Sequence, residues 1–184
     1  MISVEKTPID GLMIIRANPF RDSRGEFTRI FCDQDLNQYL QGKIIRQINR
    51  SKTFNIGVVR GMHFQIAPHA EIKIVRCVAG KVFDVAVDLR TGSPTFLQWF
   101  GMELGPEKSD ALLIPEGFAH GFQALLPKSE LIYLHTSQFS QKSEGGVKFD
   151  DPKIGIKWPL KVAEVSQRDS EFLYLDKYFT GLIL

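Results

Sequence analysis

The stretch RGMHFQ sets a histidine, His63, three residues after an arginine, Arg60, inside an apolar run of strand character. Strict alternation puts Arg60, Met62 and Phe64 on one face and Gly61, His63 and Gln65 on the other. Read alone, His63 is open among three roles: a satisfied structural residue, a metal ligand or a catalytic base. Two more polar side chains sit in equally apolar surroundings, Lys73 in EIKIVRC and His120 in EGFAHGF. A lysine ammonium among Ile72, Ile74 and Val75 is costly to bury without an anionic partner or a ligand. Asp84, whose strand parity suits it, is the expected partner. Gly117 and Gly121 beside His120 would let a ligand or another backbone come close. Three inward-capable polar residues in one small β protein point to a pocket.

Several chemistries fit this set poorly. The histidines are His63, His69, His120 and His135, with no HxH pair and no carboxylate at HxHxxxxE spacing, so no metal is expected. His135 is expected to share a face with Tyr133 only through a bulge. Neither cysteine adjoins a histidine, no GxSxG elbow occurs, and no glycine-rich loop cradles a phosphate. What remains is proton transfer by His, Lys, Tyr and carboxylates, with arginines available for an anionic ligand.

The elements that must carry these residues are short and β-like. GLMIIRAN, KIVRCV, KVFDVAVDL, TFLQWFGMEL, SDALLIP, GFAHGFQAL and ELIYLHTSQF recur between turn signals at spacings of about ten residues. In KVFDVAVDL, Val82, Asp84, Ala86 and Asp88 alternate with Phe83, Val85 and Val87. This pattern predicts an all-β antiparallel sandwich or barrel. DQDLNQYLQG reads as a helix with Asp33 at its N-cap and Gly42 past its end, and SQRDSEFLYLDKYF as one short helix.

Bulk properties set the frame. The chain has 184 residues, 43% hydrophobic and 24% charged, with a formal net charge of +2 and no basic stripe. One domain over 1–184 is expected, with no nucleic-acid partner. Cys32 and Cys77 are isolated thiols, and no leader pattern or apolar run of about 20 residues appears, so a cytoplasmic protein without membrane contact is expected.

Read together, FRDSRGEF, NRSKTFNIGVVRGMHFQ, KIVRCVAGKVFDVAVDLRTGSPTF, IPEGFAHGFQAL, YLHTSQFSQKSEGGVKFDDPKIGIKWP and SQRD resemble the dTDP-4-dehydrorhamnose 3,5-epimerase family in identity and order. The resemblance spans nearly the whole chain. It implies a cupin-type jelly roll, usually a homodimer with an early strand exchanged. It also implies action without cofactor or metal on a nucleotide-diphosphate-linked 4-keto-6-deoxy sugar. By the same resemblance His63 is the general base, Asp169 its paired carboxylate, Lys73 the stabiliser of the enolate oxygen and Tyr133 the returning acid. Substrate-binding roles fall to Arg24 and Phe27, to Gln47 and Asn49, and to Arg60, His120, Glu144 and Arg168. On the residues alone, other readings stay open. Arg24 also reads as a turn arginine, Tyr133 as a core aromatic, and Asp169 as a cap of the C-terminal segment. Asp88 and Arg90 read as fixing strand ends.

Two positions depart from the family's pattern. Arg29 in RGEFTR stands where a base-reading Glu is usual; arginine has donors and no acceptor, which suits cytosine or guanine and implies a CDP- or GDP-linked sugar. Phe139 stands where many relatives carry a second tyrosine, so action at C3 only or C5 only becomes possible. The rival readings are a non-catalytic nucleotide-sugar binding module and a metal-dependent cupin enzyme.

Overall fold

The computed structural model describes residues 2–184. Its strands are β1 (Ile2–Lys6), β2 (Met13–Ala17), β3 (Phe20–Asp22) and β4 (Gly25–Phe27), then, after helix α1 (Asp33–Leu36), β5 (Gln47–Thr53) and β6 (Val58–Gln65). There follow β7 (Lys73–Ala79), β8 (Val82–Asp88), β9 (Trp99–Leu104), β10 (Ala111–Ile114), β11 (Phe118–Ala124) and β12 (Ser129–His135). Short strands β13 (Glu144–Gly146) and β14 (Glu164–Val165) and helix α2 (Gln167–Glu171) close the chain.

Two sheets face each other. One runs β1-β2-β10-β7-β12-β5; the other runs β13-β6-β11-β8-β9, with β14 pairing along the first half of the β6 edge and β13 along its second half. Among the described residues all pairings between these strands are antiparallel except β14 with β6, and the fold is all-β, of cupin-type jelly-roll kind. The small hairpin β3–β4 stands outside both sheets.

The alternation read in KVFDVAVDL has a direct counterpart, because β8 is central and buried on both sides. Val82 and Ala86 face the interior between the sheets, with Val75, Leu112, Ile114, Phe118 and Phe122. Val85 and Val87 face outward beneath a cover of Ile154, Ile156, Trp158 and Leu182 from the C-terminal segment. The outer face of the other sheet is covered by Leu36, Leu40, Phe31 and Tyr39.

That second cover differs from the expected helix. Only Asp33–Leu36 is α-helical; its N-cap is Cys32, which makes no side-chain capping bond. The chain then runs in turns to Gly42, whose positive φ of 74° ends the segment. Packing of Leu36 and Leu40 on the sheet, not helix propensity, decides this conformation. In the tail, α2 takes up only Gln167–Glu171 of the stretch SQRDSEFLYLDKYF read as a helix, and it is capped by Ser166, whose Oγ accepts from the Asp169 amide. Asp169 is therefore not the cap.

Asp88 and Arg90 fix a strand end. The buried Asp88 carboxylate accepts from the Arg90 amide and guanidinium and from the Ser93 and Thr95 hydroxyls. Among the described residues no helix is long and apolar enough to cross a membrane.

Candidate active site

The interior between the sheets is apolar at its centre and turns polar toward one end, where a cleft of about 300 Å³ opens. Parity explains the lining. On β7, Lys73 shares its face with Val75 and Cys77; on β12, Tyr133 and His135 share theirs with Leu131; these apolar neighbours belong to the central core. In β5, Asn49 pairs with Tyr133 and Gln47 with His135, which brings both to the same rim. From the opposite sheet come His120, on the face of Phe118 and Phe122, and His63, directly across from it in register.

Strict alternation fails in β6. Between the pairs Arg60–Phe122 and His63–His120, β6 spends one residue more than β11, a β-bulge that reverses the side-chain phase. Arg60 and His63, expected on opposite faces, therefore both line the cleft. The bulge depends on two glycines. Gly61 has φ 128°, and a Cβ there would stand 2.6 Å from Gly121 Cα and 2.8 Å from the His120 carbonyl oxygen. The space that Gly121 leaves beside His120 is thus filled by the Met62 side chain and the β6 backbone at Arg60 and Gly61.

Asp169 sits on α2, more than a hundred residues from His63 in sequence, yet its Oδ1 is 2.8 Å from His63 Nε2. Its Oδ2 accepts from the Gly61 amide at 3.0 Å. Burial opposes charge on this carboxyl, but the bonds from His63 and Gly61 and the nearby Arg168 prevail and hold it at about 2. An ionised Asp169 requires the proton on Nε2, so in the neutral imidazole the lone pair is on Nδ1. The Arg168 guanidinium comes within 2.9 Å of the same Nε2, a close approach of two donors rather than a bond; its own partners are Glu144 Oε1 at 2.9 Å and Asp169 Oδ1 at 3.3 Å. Phe172 packs edge-on to the His63 ring, in space left by Gly146, the cross-strand neighbour of His63.

Across the cleft, the Tyr133 hydroxyl is 2.9 Å from Ser51 Oγ. Burial pushes its pKa well up, against the lowering effect of Ser51, so the phenol keeps its proton. His120 Nε2 lies 2.9 Å from Asp84 Oδ1, and the other Asp84 oxygen is buried without a partner.

This corrects the expected Lys73–Asp84 pair. The partner of Lys73 is Glu71, with Nζ 3.1 Å from Oε1, because β7 brings Lys73 to the β12 side while Asp84 in β8 lies diagonal to His120. Glu71 also accepts from His135 Nδ1 at 2.8 Å. Burial is the largest influence on Glu71 and raises its pKa, but His135 and Lys73 together outweigh it and bring the carboxyl to about 2. His135 stacks on Tyr133 with ring centroids 6.0 Å apart, by plain alternation and without the expected bulge. Sequence reasoning assigned no role to Glu71, His135 or Ser51. The readable signal was parity: Glu71 is two residues before Lys73, and His135 two after Tyr133.

Glu144 lines the cleft, and Arg168 stands beside it in the groove of Asp169. Phe139 lines the cleft as well, its amide bonded to Gln47 Oε1 at 3.0 Å. Arg24, Phe27 and Arg29 do not line the cleft of their own chain. Arg24 is bonded to Asp22 on the exposed β3–β4 hairpin, and Arg29 lies 3.9 Å from Asp35. Among the described residues, no three His, Cys, Asp or Glu side chains converge as a metal-ligand set.

Residues 6–177 match the family model described as dTDP-4-dehydrorhamnose 3,5-epimerase. The chain is 42% identical over 179 residues to the dTDP-4-dehydrorhamnose 3,5-epimerase of Salmonella typhimurium, covering 96% of this chain and 97% of that one. Its fold is similar to the dTDP-6-deoxy-D-glucose-3,5-epimerase of Legionella pneumophila, solved with dTDP-4-keto-L-rhamnose, at TM-score 0.91 and 35% identity over 100% of both chains. The Bacillus anthracis dTDP-4-dehydrorhamnose 3,5-epimerase, solved with TDP and pyrophosphate, gives TM-score 0.91 at 33% identity, covering 95% of this chain and 100% of that one.

Proposed function

Because the chain belongs to the dTDP-4-dehydrorhamnose 3,5-epimerase family, we propose that it epimerises C3, C5 or both of a nucleotide-diphosphate-linked 4-keto-6-deoxy sugar. It is an isomerase of that family. One observation carries the mechanism: His63, backed by Asp169 of α2, enters the cleft from one sheet, while Lys73 and Tyr133 enter from the other. A sugar ring held between the sheets then has a base on one side and an acid on the other.

The 4-keto group acidifies the neighbouring C–H bonds. His63 Nδ1 takes the proton, the C–H electron pair moves into the ring, and negative charge gathers on O4 as an enolate. Asp169 stabilises the imidazolium that forms. The Lys73 ammonium stabilises the enolate oxygen, help that grows as the charge develops. Tyr133 gives its proton to carbon from the opposite side and is reprotonated from water. Arg60, His120, Gln47, Asn49, Glu144 and Arg168 bind the sugar, diphosphate and base.

The test is incubation of dTDP-4-keto-6-deoxyglucose with the enzyme in D2O. Deuterium at C3 or C5 with inverted configuration is the expected result; no label and no new sugar with the dTDP-, CDP- and GDP-linked forms alike would end the proposal. His63→Ala should abolish exchange and keep nucleotide-diphosphate binding, whereas loss of both together would make His63 structural. With Phe139 in place of a second hydroxyl, label confined to one carbon is the expected pattern. Arg29 removes an acceptor for thymine N3–H, so CDP or GDP should bind at least as tightly as dTDP by calorimetry. Clearly tighter dTDP binding would sink that point.

The same reading proposes a cytoplasmic homodimer. Phe20 and Phe27 pair across the hairpin and are 67% and 73% exposed, with Arg24 beside them, a surface that seeks a partner. A second copy of the chain delivering this hairpin to the cleft accounts for Arg24, Phe27 and Arg29 lying away from their own. Mixing Arg24→Ala and His63→Ala subunits should then restore about a quarter of wild-type activity, from mixed dimers with one intact site. No recovery would place the hairpin outside the site.

A further inference from the structure

Glu71 has no assigned part in the reaction, yet it is the most constrained carboxylate in the cleft. Both its oxygens are engaged, Oε1 with Lys73 Nζ at 3.1 Å and Oε2 with His135 Nδ1 at 2.8 Å. Glu71 and Lys73 are 7% and 6% exposed, so neither charge is supported by bulk water. Among the described residues Lys73 has no other ion-pair partner. His135 is itself held on three sides: by Glu71, by the stacked Tyr133 ring, and by Asn49, whose Nδ2 is 3.5 Å from Nε2. The carboxylate therefore cannot turn away from Lys73 without breaking its bond to an immobilised imidazole.

The rest of the cleft supplies no substitute. Its other charged groups are Arg50 and Arg60, which repel an ammonium, and Glu144, which is bonded to Arg168. Its other titratable groups are His63 and His120, each bonded to its own aspartate, and Tyr133, which keeps its proton. A buried ammonium whose counter-charge is removed loses its proton more readily and is free to wander.

We propose that Glu71, locked by His135, is the positioning residue for Lys73: it holds the ammonium charged and in one place, where negative charge develops on the substrate. Glu71 acts through Lys73 and touches no reacting atom. The low pKa of Glu71, about 2, agrees with a carboxylate that stays ionised at neutral pH. This inference rests on the epimerase reading above.

The experiment compares wild type, Glu71→Gln, Glu71→Asp and His135→Gln over a pH series of deuterium exchange, with nucleotide-diphosphate binding as the control for folding. Glu71→Gln should lower kcat about tenfold or more with KM little changed. It should also move the alkaline limb of kcat to lower pH. Glu71→Asp should recover part of the loss, and His135→Gln should show a smaller defect of the same kind. Wild-type kcat with an unmoved alkaline limb in Glu71→Gln would overturn the proposal. So would parallel loss of binding and kcat that Glu71→Asp does not relieve.

A second readout is independent of turnover. Coupling between two charges is reciprocal, so carboxyl NMR of Glu71 in Lys73→Met reports the same interaction. Glu71 should titrate clearly higher there than in wild type; an unchanged midpoint overturns the inference even if Glu71→Gln does not fold. If wild type itself shows no exchange while Glu71 still shifts in Lys73→Met, the epimerase reading has failed and the clamp has not.

Discussion

Replacing Asp169 by asparagine tests the dyad on which the proton chemistry depends. The substitution keeps size and an acceptor oxygen but removes the charge 2.8 Å from His63 Nε2. In the folded protein the aspartate sits at about 2, against an ordinary 3.8. That difference corresponds to about 2 kcal/mol of favourable interaction with its surroundings. Its largest favourable source is the bond with His63, and the same contact supports the imidazolium that forms there in the transition state. Losing about 2 kcal/mol slows the step about thirtyfold. The amide can also turn its NH2 toward His63 and favour the wrong tautomer, which adds to the loss. The assay is the rate of deuterium entry at C3 and C5 by NMR, with nucleotide-diphosphate affinity by calorimetry. Expected is a kcat at least about thirtyfold lower, with affinity within about threefold of wild type. Unchanged kcat would remove Asp169 from the mechanism, and an equal fall in both quantities would make it a fold-stabilising residue only.

Further outcomes follow from the same geometry. Tyr133→Phe keeps the base and loses the acid, so deuterium exchange should continue while inverted product falls about a hundredfold or more by NMR. Gly61→Ala forces a Cβ to within 2.6 Å of Gly121 Cα at φ 128°; it should cost on the order of 3 kcal/mol in denaturant unfolding and displace His63. Asp169 and Glu71 both have folded pKa values lowered to about 2, so their contribution to stability is present above about pH 5 and is lost as pH falls through 4 toward 2. An acid titration of Tm should show this loss, and Asp169→Asn should flatten part of it. A Tm that does not fall in that range refutes the ionic assignment.

Much of the fold was legible because β-sandwich cores impose period-two patterns on the chain. KVFDVAVDL gave β8 and both of its faces correctly, and Lys73 and His120 stood out as polar residues on otherwise apolar strands. Short edge pieces were not legible. β1, β13 and β14 are two to five residues long and gain their order from the strands beside them, as does the exposed β3–β4 hairpin from its own pairing. The predicted helix over DQDLNQYLQG shrank to one turn because contact with the sheet outweighed local preference.

The sequence by itself determined which residue types the cleft contains, since motif identity and strand parity are local properties. Tertiary structure decided who pairs with whom. A bulge at Gly61, invisible to strict alternation, turned Arg60 and His63 to the same side. A short C-terminal helix carried Asp169 across more than a hundred residues to His63, while Glu71 rather than Asp84 became the counter-charge of Lys73. The physical reason is one of range: a side chain's face is fixed by its neighbours along the strand, but its charge partner is fixed by which strands lie side by side.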